Sequence, residues 1–103
     1  MPLEAAFKAD YAYLLDAFHT KWPAALVGVN LPWVRGRDAD CATLAGWITA
    51  VLAPRAAWTF VAMDEAVTIK AGDNGAAYTY DGVHLSEAGI TVAANRIKTT
   101  MGY

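Results

Sequence analysis

The chain is poor in most of the features that mark a specialised polymer or a charged partner. A single cysteine, Cys41, leaves no intramolecular disulfide to organise its 103 residues. Charged residues are 17% against 56% hydrophobic, the reverse of the balance that keeps a segment disordered. Positive charge is scarce. Eight Lys and Arg face ten Asp and Glu, for a net charge of −2. That excludes the clustered basic surplus with which proteins meet nucleic acid. No apolar run approaches the roughly 20 residues of a membrane span. The start, Met1-Pro2-Leu3-Glu4, has neither the basic region nor the apolar stretch of a signal peptide. The compartment stays open. Internal repeats and low-complexity runs are absent too.

Aromatic residues are plentiful, with four Trp, five Tyr and three Phe. In one small domain, residues 1–103, these side chains need either a rich core or an interface. Phe7, Tyr11, Leu14, Leu15, Phe18 and Trp22 recur at spacings of three and four, which predicts a helix with one apolar face. Pro23 ends it near Lys21. Residues 25–29, Ala-Leu-Val-Gly-Val, read as a strand buried on both faces, broken by Asn30-Leu31-Pro32. Asp38 or Asp40 is placed to cap a helix over residues 40–53, with Cys41, Leu44, Ala45, Ile48, Val51 and Leu52 inward. Residues 58–63 read as a second strand, parallel to the first through a right-handed crossover. Residues 67–70 and 76–80 flank Asn74-Gly75, a pairing that predicts a β-hairpin. Ser86 caps a last helix from Glu87 to about Thr99, with Ile90, Ala93, Ala94 and Ile97 inward.

The expected class is α/β, in the order α-β-α-β-hairpin-α with parallel core strands. Two such strands leave open apolar edges, which predicts self-association or a protein partner.

Chemistry concentrates in Asp81-Gly82-Val83-His84-Leu85-Ser86. An Asp three residues before a His on a loop can fold back onto imidazole Nδ1, fix the tautomer and leave Nε2 as a general base. Taken alone, the spacing also describes an ordinary hydrogen bond on a turn. Trp33, Val34 and Arg35 follow the carboxyl end of the first strand, where open α/β sheets face ligand, so they either line a substrate cleft beside His84 or form a plain loop. Arg35 and Arg37 read as an anion contact or as solvated side chains. Cys41 reads as inert packing. His19, three residues after Asp16, reads as a partner of its helix's carboxyl end. Asp64, Glu65 and Asp73 lack metal-ligand count and spacing, and no metal is expected. Residues 72–75 form a turn, lacking the Gly-Lys-Ser/Thr ending of a phosphate loop.

Tyr80-Asp81-Gly82-Val83-His84-Leu85-Ser86-Glu87-Ala88-Gly89 and the Ala-rich helix after it resemble the carboxy-terminal block of the SGNH, or GDSL-type, hydrolases. There a D-G-x-H-L-[ST]-x-x-G block precedes the final helix. The order of the other elements resembles the second half of the same family, so the likeness spans nearly the whole chain, although only the last block is specific. The resemblance implies a flavodoxin-like three-layer sheet and ester or acetyl-ester hydrolysis without metal or organic cofactor. It implies that Asp81 is the orienting acid and His84 the base. The chain departs from the family in one large respect. It has no Gly-Asp-Ser nucleophile block and no Gly-x-Asn-Asp oxyanion block. Its sole serine, Ser86, stands where the family has a structural hydroxyl. The implied enzyme is therefore incomplete as a single chain: either a separate nucleophile-bearing chain completes it to act on an ester, or the polypeptide is a fragment of a longer enzyme, or it is a degenerate member that only binds or assembles. The competing class is a non-catalytic structural or binding module that assembles with other subunits.

Overall fold

The structure is a computed structural model that describes residues 2–72 and 74–102. Asp73, weighed above as a ligand, lies outside the described residues. Helix α1 (Pro2–Lys21) leads to strand β1 (Val27–Leu31). Helix α2 (Asp38–Leu52) and a 3-10 turn at Ala53–Arg55 lead to strand β2 (Thr59–Asp64). A single helical turn, α3 (Glu65–Thr68), follows, and α4 (Glu87–Thr100) closes the order. The class is mixed α/β. β1 and β2 pair in parallel, Val27 opposite Thr59 and Val29 opposite Val61, with an irregularity between Val29 and Asn30.

The core forms where α1 and α2 meet the inward side of β1. Leu15, Val29, Leu31, Ile48, Val51 and Leu52 are buried together, with Phe7, Tyr11, Leu44, Trp58 and Val61 packed around them. Arg55 ties α1 to the turn after α2, donating to both carboxylate oxygens of Asp16 at 2.8 Å. Its guanidinium holds that carboxyl below its usual range. α4 packs on β2, burying Gly89 and Ala93.

Several expectations need correction. β1 starts later and runs through Asn30 and Leu31, and it alternates: Val29 and Leu31 are buried while Gly28 and Asn30 are exposed. Helices therefore cover one face of β1, not two. Neither Asp38 nor Asp40 caps α2. Arg37 stands at the cap position without a side-chain bond, because both carboxylates are engaged elsewhere. Asp38 accepts from the Trp33 indole and Lys70, and Asp40 from Arg37. Leu14, Phe18 and Trp22 of the α1 stripe are largely exposed, as is Ile90, and Ala94 is exposed too. Two strands are too narrow to cover these faces.

The hairpin does not form. Asp64 accepts from the Ala66 N–H at 3.0 Å, and this cap starts α3 where the first hairpin strand was expected. The Ile69 and Lys70 N–H groups both bond back to the Glu65 carbonyl, so Ile69 turns inward to become the most buried large side chain. Asn74 and Gly75 do take positive φ, 52° and 83°. They serve a run of tight turns, in which the Thr79 N–H donates to the Gly75 carbonyl at 2.9 Å.

Candidate active site

Two strand-like bonds pinch off the loop that carries Asp81 and His84. Thr79 and Leu85 form an antiparallel bridge, and the Tyr80 N–H donates to the His84 carbonyl at 3.0 Å. The Ser86 N–H donates to the Tyr78 carbonyl at 2.9 Å, which fixes where α4 starts. At the tip, Gly82 is buried with φ 87°, a conformation that favours glycine. A Cβ there would fall 2.8 Å from the Arg35 Cβ. The Gly82 N–H donates to Thr79 Oγ1 at 3.0 Å, and the Gly82 carbonyl accepts from the Arg35 N–H at 3.0 Å.

Asp81 divides its two oxygens between two tasks. Oδ1 accepts from the Val83 N–H at 2.9 Å and the His84 N–H at 2.8 Å, which folds the loop. Oδ2 lies 2.7 Å from His84 Nδ1. An ionised carboxylate only accepts, so this contact places a proton on Nδ1 and leaves the Nε2 lone pair directed away. The imidazole bond first, and then the two backbone N–H groups, hold the Asp81 carboxyl well below the ordinary carboxylate range. The His84 side chain is 73% exposed. The expected Asp–His pair is thus formed, on a surface loop.

The remaining sequence candidates fall as follows. Arg35 lies beside this loop, its Nε donating to the Asn74 carbonyl at 3.0 Å and one terminal nitrogen 3.5 Å from Thr79 Oγ1. Trp33 is packed, 4% exposed. Its indole N–H donates to Asp38 at 2.6 Å and its backbone N–H to Glu65 at 3.0 Å, and its ring covers Gly75. Val34 lines a shallow groove with Pro32, Arg37, Asp40, Cys41 and Leu44, which His84 does not reach. The Val34 N–H donates to Cys41 Sγ at 3.3 Å. Arg37 is held by Asp40, its Nε donating at 2.7 Å. His19 does not bond the helix end. It stacks on Trp58 with ring centroids 4.1 Å apart, its Nδ1 buried without a partner among the described residues.

Both capacities of the Ser86 hydroxyl are in use. It donates to the Ala77 carbonyl at 3.3 Å and accepts from the Gly89 N–H at 3.2 Å, as a helix cap does. Thr79 is the positioning residue that sequence reasoning missed. Buried at 6% exposure, it donates to the Gly75 carbonyl at 2.7 Å while accepting from Gly82, and so joins the Asn74-Gly75 turn to the Asp81–His84 loop. The tyrosine-flanked, strand-like run around it, Tyr78-Thr79-Tyr80, hid that role. Among the described residues no three His, Cys, Asp or Glu side chains gather closely enough to hold a metal ion. Among the described residues no helix is long and apolar enough to cross a membrane.

No family model matches the chain, and neither a curated protein nor a solved structure matches it significantly.

Proposed function

We propose that the chain is the His- and Asp-bearing part of an SGNH-type serine hydrolase, with its α/β fold completed by further strands into a flavodoxin-like sheet. The observation that carries this reading is the Asp81 Oδ2 contact to His84 Nδ1 at 2.7 Å, on a loop whose backbone is held by the same carboxylate. In the complete site His84 Nε2 takes the proton of an external serine as its oxygen attacks the ester carbonyl. His84 then returns that proton to the departing alcohol. Asp81 holds the ring and stabilises the imidazolium. Arg35, fixed at the loop's flank, is the side chain best placed to meet a polar group of the substrate.

The nucleophile and oxyanion donors come from a Gly-Asp-Ser-bearing polypeptide, since the hydroxyl of Ser86 is spent on its cap. A second reading, a non-catalytic assembly module, is favoured by one observation: the exposed apolar stripe of α1 beside the open edge of β1. The two readings separate in an aryl ester assay with the Gly-Asp-Ser-bearing polypeptide added. Hydrolysis that disappears in His84→Ala supports the hydrolase; inactivity supports the module.

A further inference from the structure

β1 pairs with β2 on one side only. We propose that its other edge receives a strand of the Gly-Asp-Ser-bearing polypeptide, running parallel to β1 beneath α1. The identity of that partner rests on the hydrolase reading, while the place and direction of its strand rest on the fold.

α1 and α2 pack side by side, both on the face of β1 that turns Val29 and Leu31 inward. Two helices, each roughly 10 Å across, cover about four strand positions at roughly 4.8 Å spacing. The sheet supplies two. The shortfall lies under α1. Leu15 is buried in the core with Val29, whereas Leu14 is 66% exposed and Phe18 40%, so α1 overhangs the edge of β1. A groove of about 360 Å³ runs there, lined by Leu14, Leu15 and Phe18 of α1 and by residues 27–30, with no charged side chain. The Val27 N–H donates to the Trp58 carbonyl at 2.9 Å, toward β2. Strand alternation then turns the backbone groups of Gly28 and Asn30 toward the open edge. Residues Val27–Leu31 include no proline and no charged side chain, the usual guards of a solvent-facing edge.

The direction follows from the hand of the crossovers. β1, α2 and β2 make one crossover. A helix that leads into a parallel strand is the second half of another, and such crossovers share one hand. Two crossovers of one hand, with their helices on the same face, step across the sheet in the same direction. The strand that belongs before α1 therefore lies on the side of β1 away from β2, parallel to both. Its alternate side chains must be large and apolar to meet Leu14 and Phe18 from below. A second copy fits this edge less well. Pairing β1 with β1 about an axis normal to the sheet brings the second α1 over the strip that the first already overhangs.

NMR of the 15N-labelled full chain tests the assignment. The probe is a short capped peptide of alternating valine and threonine, with a nitroxide at its amino end or at its carboxyl end. The amino-end label should broaden Val27 and Gly28 most, and the carboxyl-end label Asn30 and Leu31. Replacing Leu14 and Phe18 together by lysine, which changes only partly or largely exposed side chains, should weaken docking about tenfold or more. Ile90→Lys, on α4 and outside the groove, should leave it unchanged. Asn30→Pro removes an outward N–H on an edge strand, where proline is tolerated, and should weaken docking if the double variant fails to fold by circular dichroism. The reversed broadening pattern, broadening strongest in β2, or an edge that stays free at about 1 mM peptide overturns the proposal. So do Gly28 and Asn30 amide signals that shift with chain concentration in the absence of peptide, since a second copy then holds the edge. Docking here with no ester hydrolysis by the completed pair overturns the hydrolase reading and leaves the edge assignment standing. Hydrolysis by the pair with this edge still free does the reverse.

Discussion

The carboxylate of Asp81 does two jobs whose separation is testable. Its Oδ1 organises the backbone of the loop and its Oδ2 orients the ring of His84. In the wild-type chain, 15N NMR of the neutral imidazole of His84 should show a protonated Nδ1 and a bare Nε2. Asp81→Asn should mix the tautomers, because an amide can present either an acceptor or a donor to Nδ1. An unchanged tautomer would mean that the pair does not orient the ring. The pH dependence follows from the direction of the Asp81 shift. Its folded value lies below the ordinary 3.8, so its contribution is complete above that value and fades only as pH falls through the lower, folded one. The 13C carboxyl signal of Asp81 should therefore remain that of an ionised group at pH values where an unperturbed Asp is half protonated. At Trp33 the contacts are structural. Gly75→Ala would place a methyl 2.6 Å from its ring at φ 83° and should destabilise the chain by about 2–4 kcal/mol in urea unfolding. A cost near zero would show that the ring and turn move freely.

At the scale of elements, the sequence was most legible where a local signal met no competitor. Ser86 caps α4 as its side-chain chemistry dictates, and Ser86→Ala should cost about 1 kcal/mol of stability. Because the hydroxyl is a cap and not a nucleophile, the same variant should not alter any hydrolysis by the completed enzyme. α1 stops at Lys21 before Pro23, and the βαβ unit was readable from two apolar runs around a periodic one. The hairpin failed for a definite reason. Val67-Thr68-Ile69 carries strand propensity, but Asp64 caps a helical turn just before it, and Ile69 gains a fully buried place by turning inward. Propensity yielded to a cap and a core contact. The α2 cap failed because Asp38 is claimed by Trp33, a residue five positions earlier, and by Lys70, 32 positions later. The second of these links is invisible to a local reading.

At the scale of the molecule, the extents of 39 × 38 × 16 Å describe a slab in which one helical layer covers β1. The Asp81–His84 spacing was legible because both residues sit on one short loop. The joining of that loop to Arg35 and the Asn74-Gly75 turn was not, since it depends on Thr79 and on contacts about 40 positions apart in sequence. The chain thus holds an oriented imidazole, and the proposed hydrolase takes its nucleophile from a Gly-Asp-Ser block outside these residues. The most direct test is fluorophosphonate labelling and aryl ester hydrolysis by the purified chain, alone and with a Gly-Asp-Ser-bearing polypeptide. The account predicts neither labelling nor hydrolysis by the chain alone. With the added polypeptide it predicts labelling of that polypeptide's serine and hydrolysis that falls by orders of magnitude in His84→Ala. Labelling of Ser86 in the chain alone, with activity lost in Ser86→Ala, would contradict it, as would hydrolysis by the pair that is indifferent to His84→Ala.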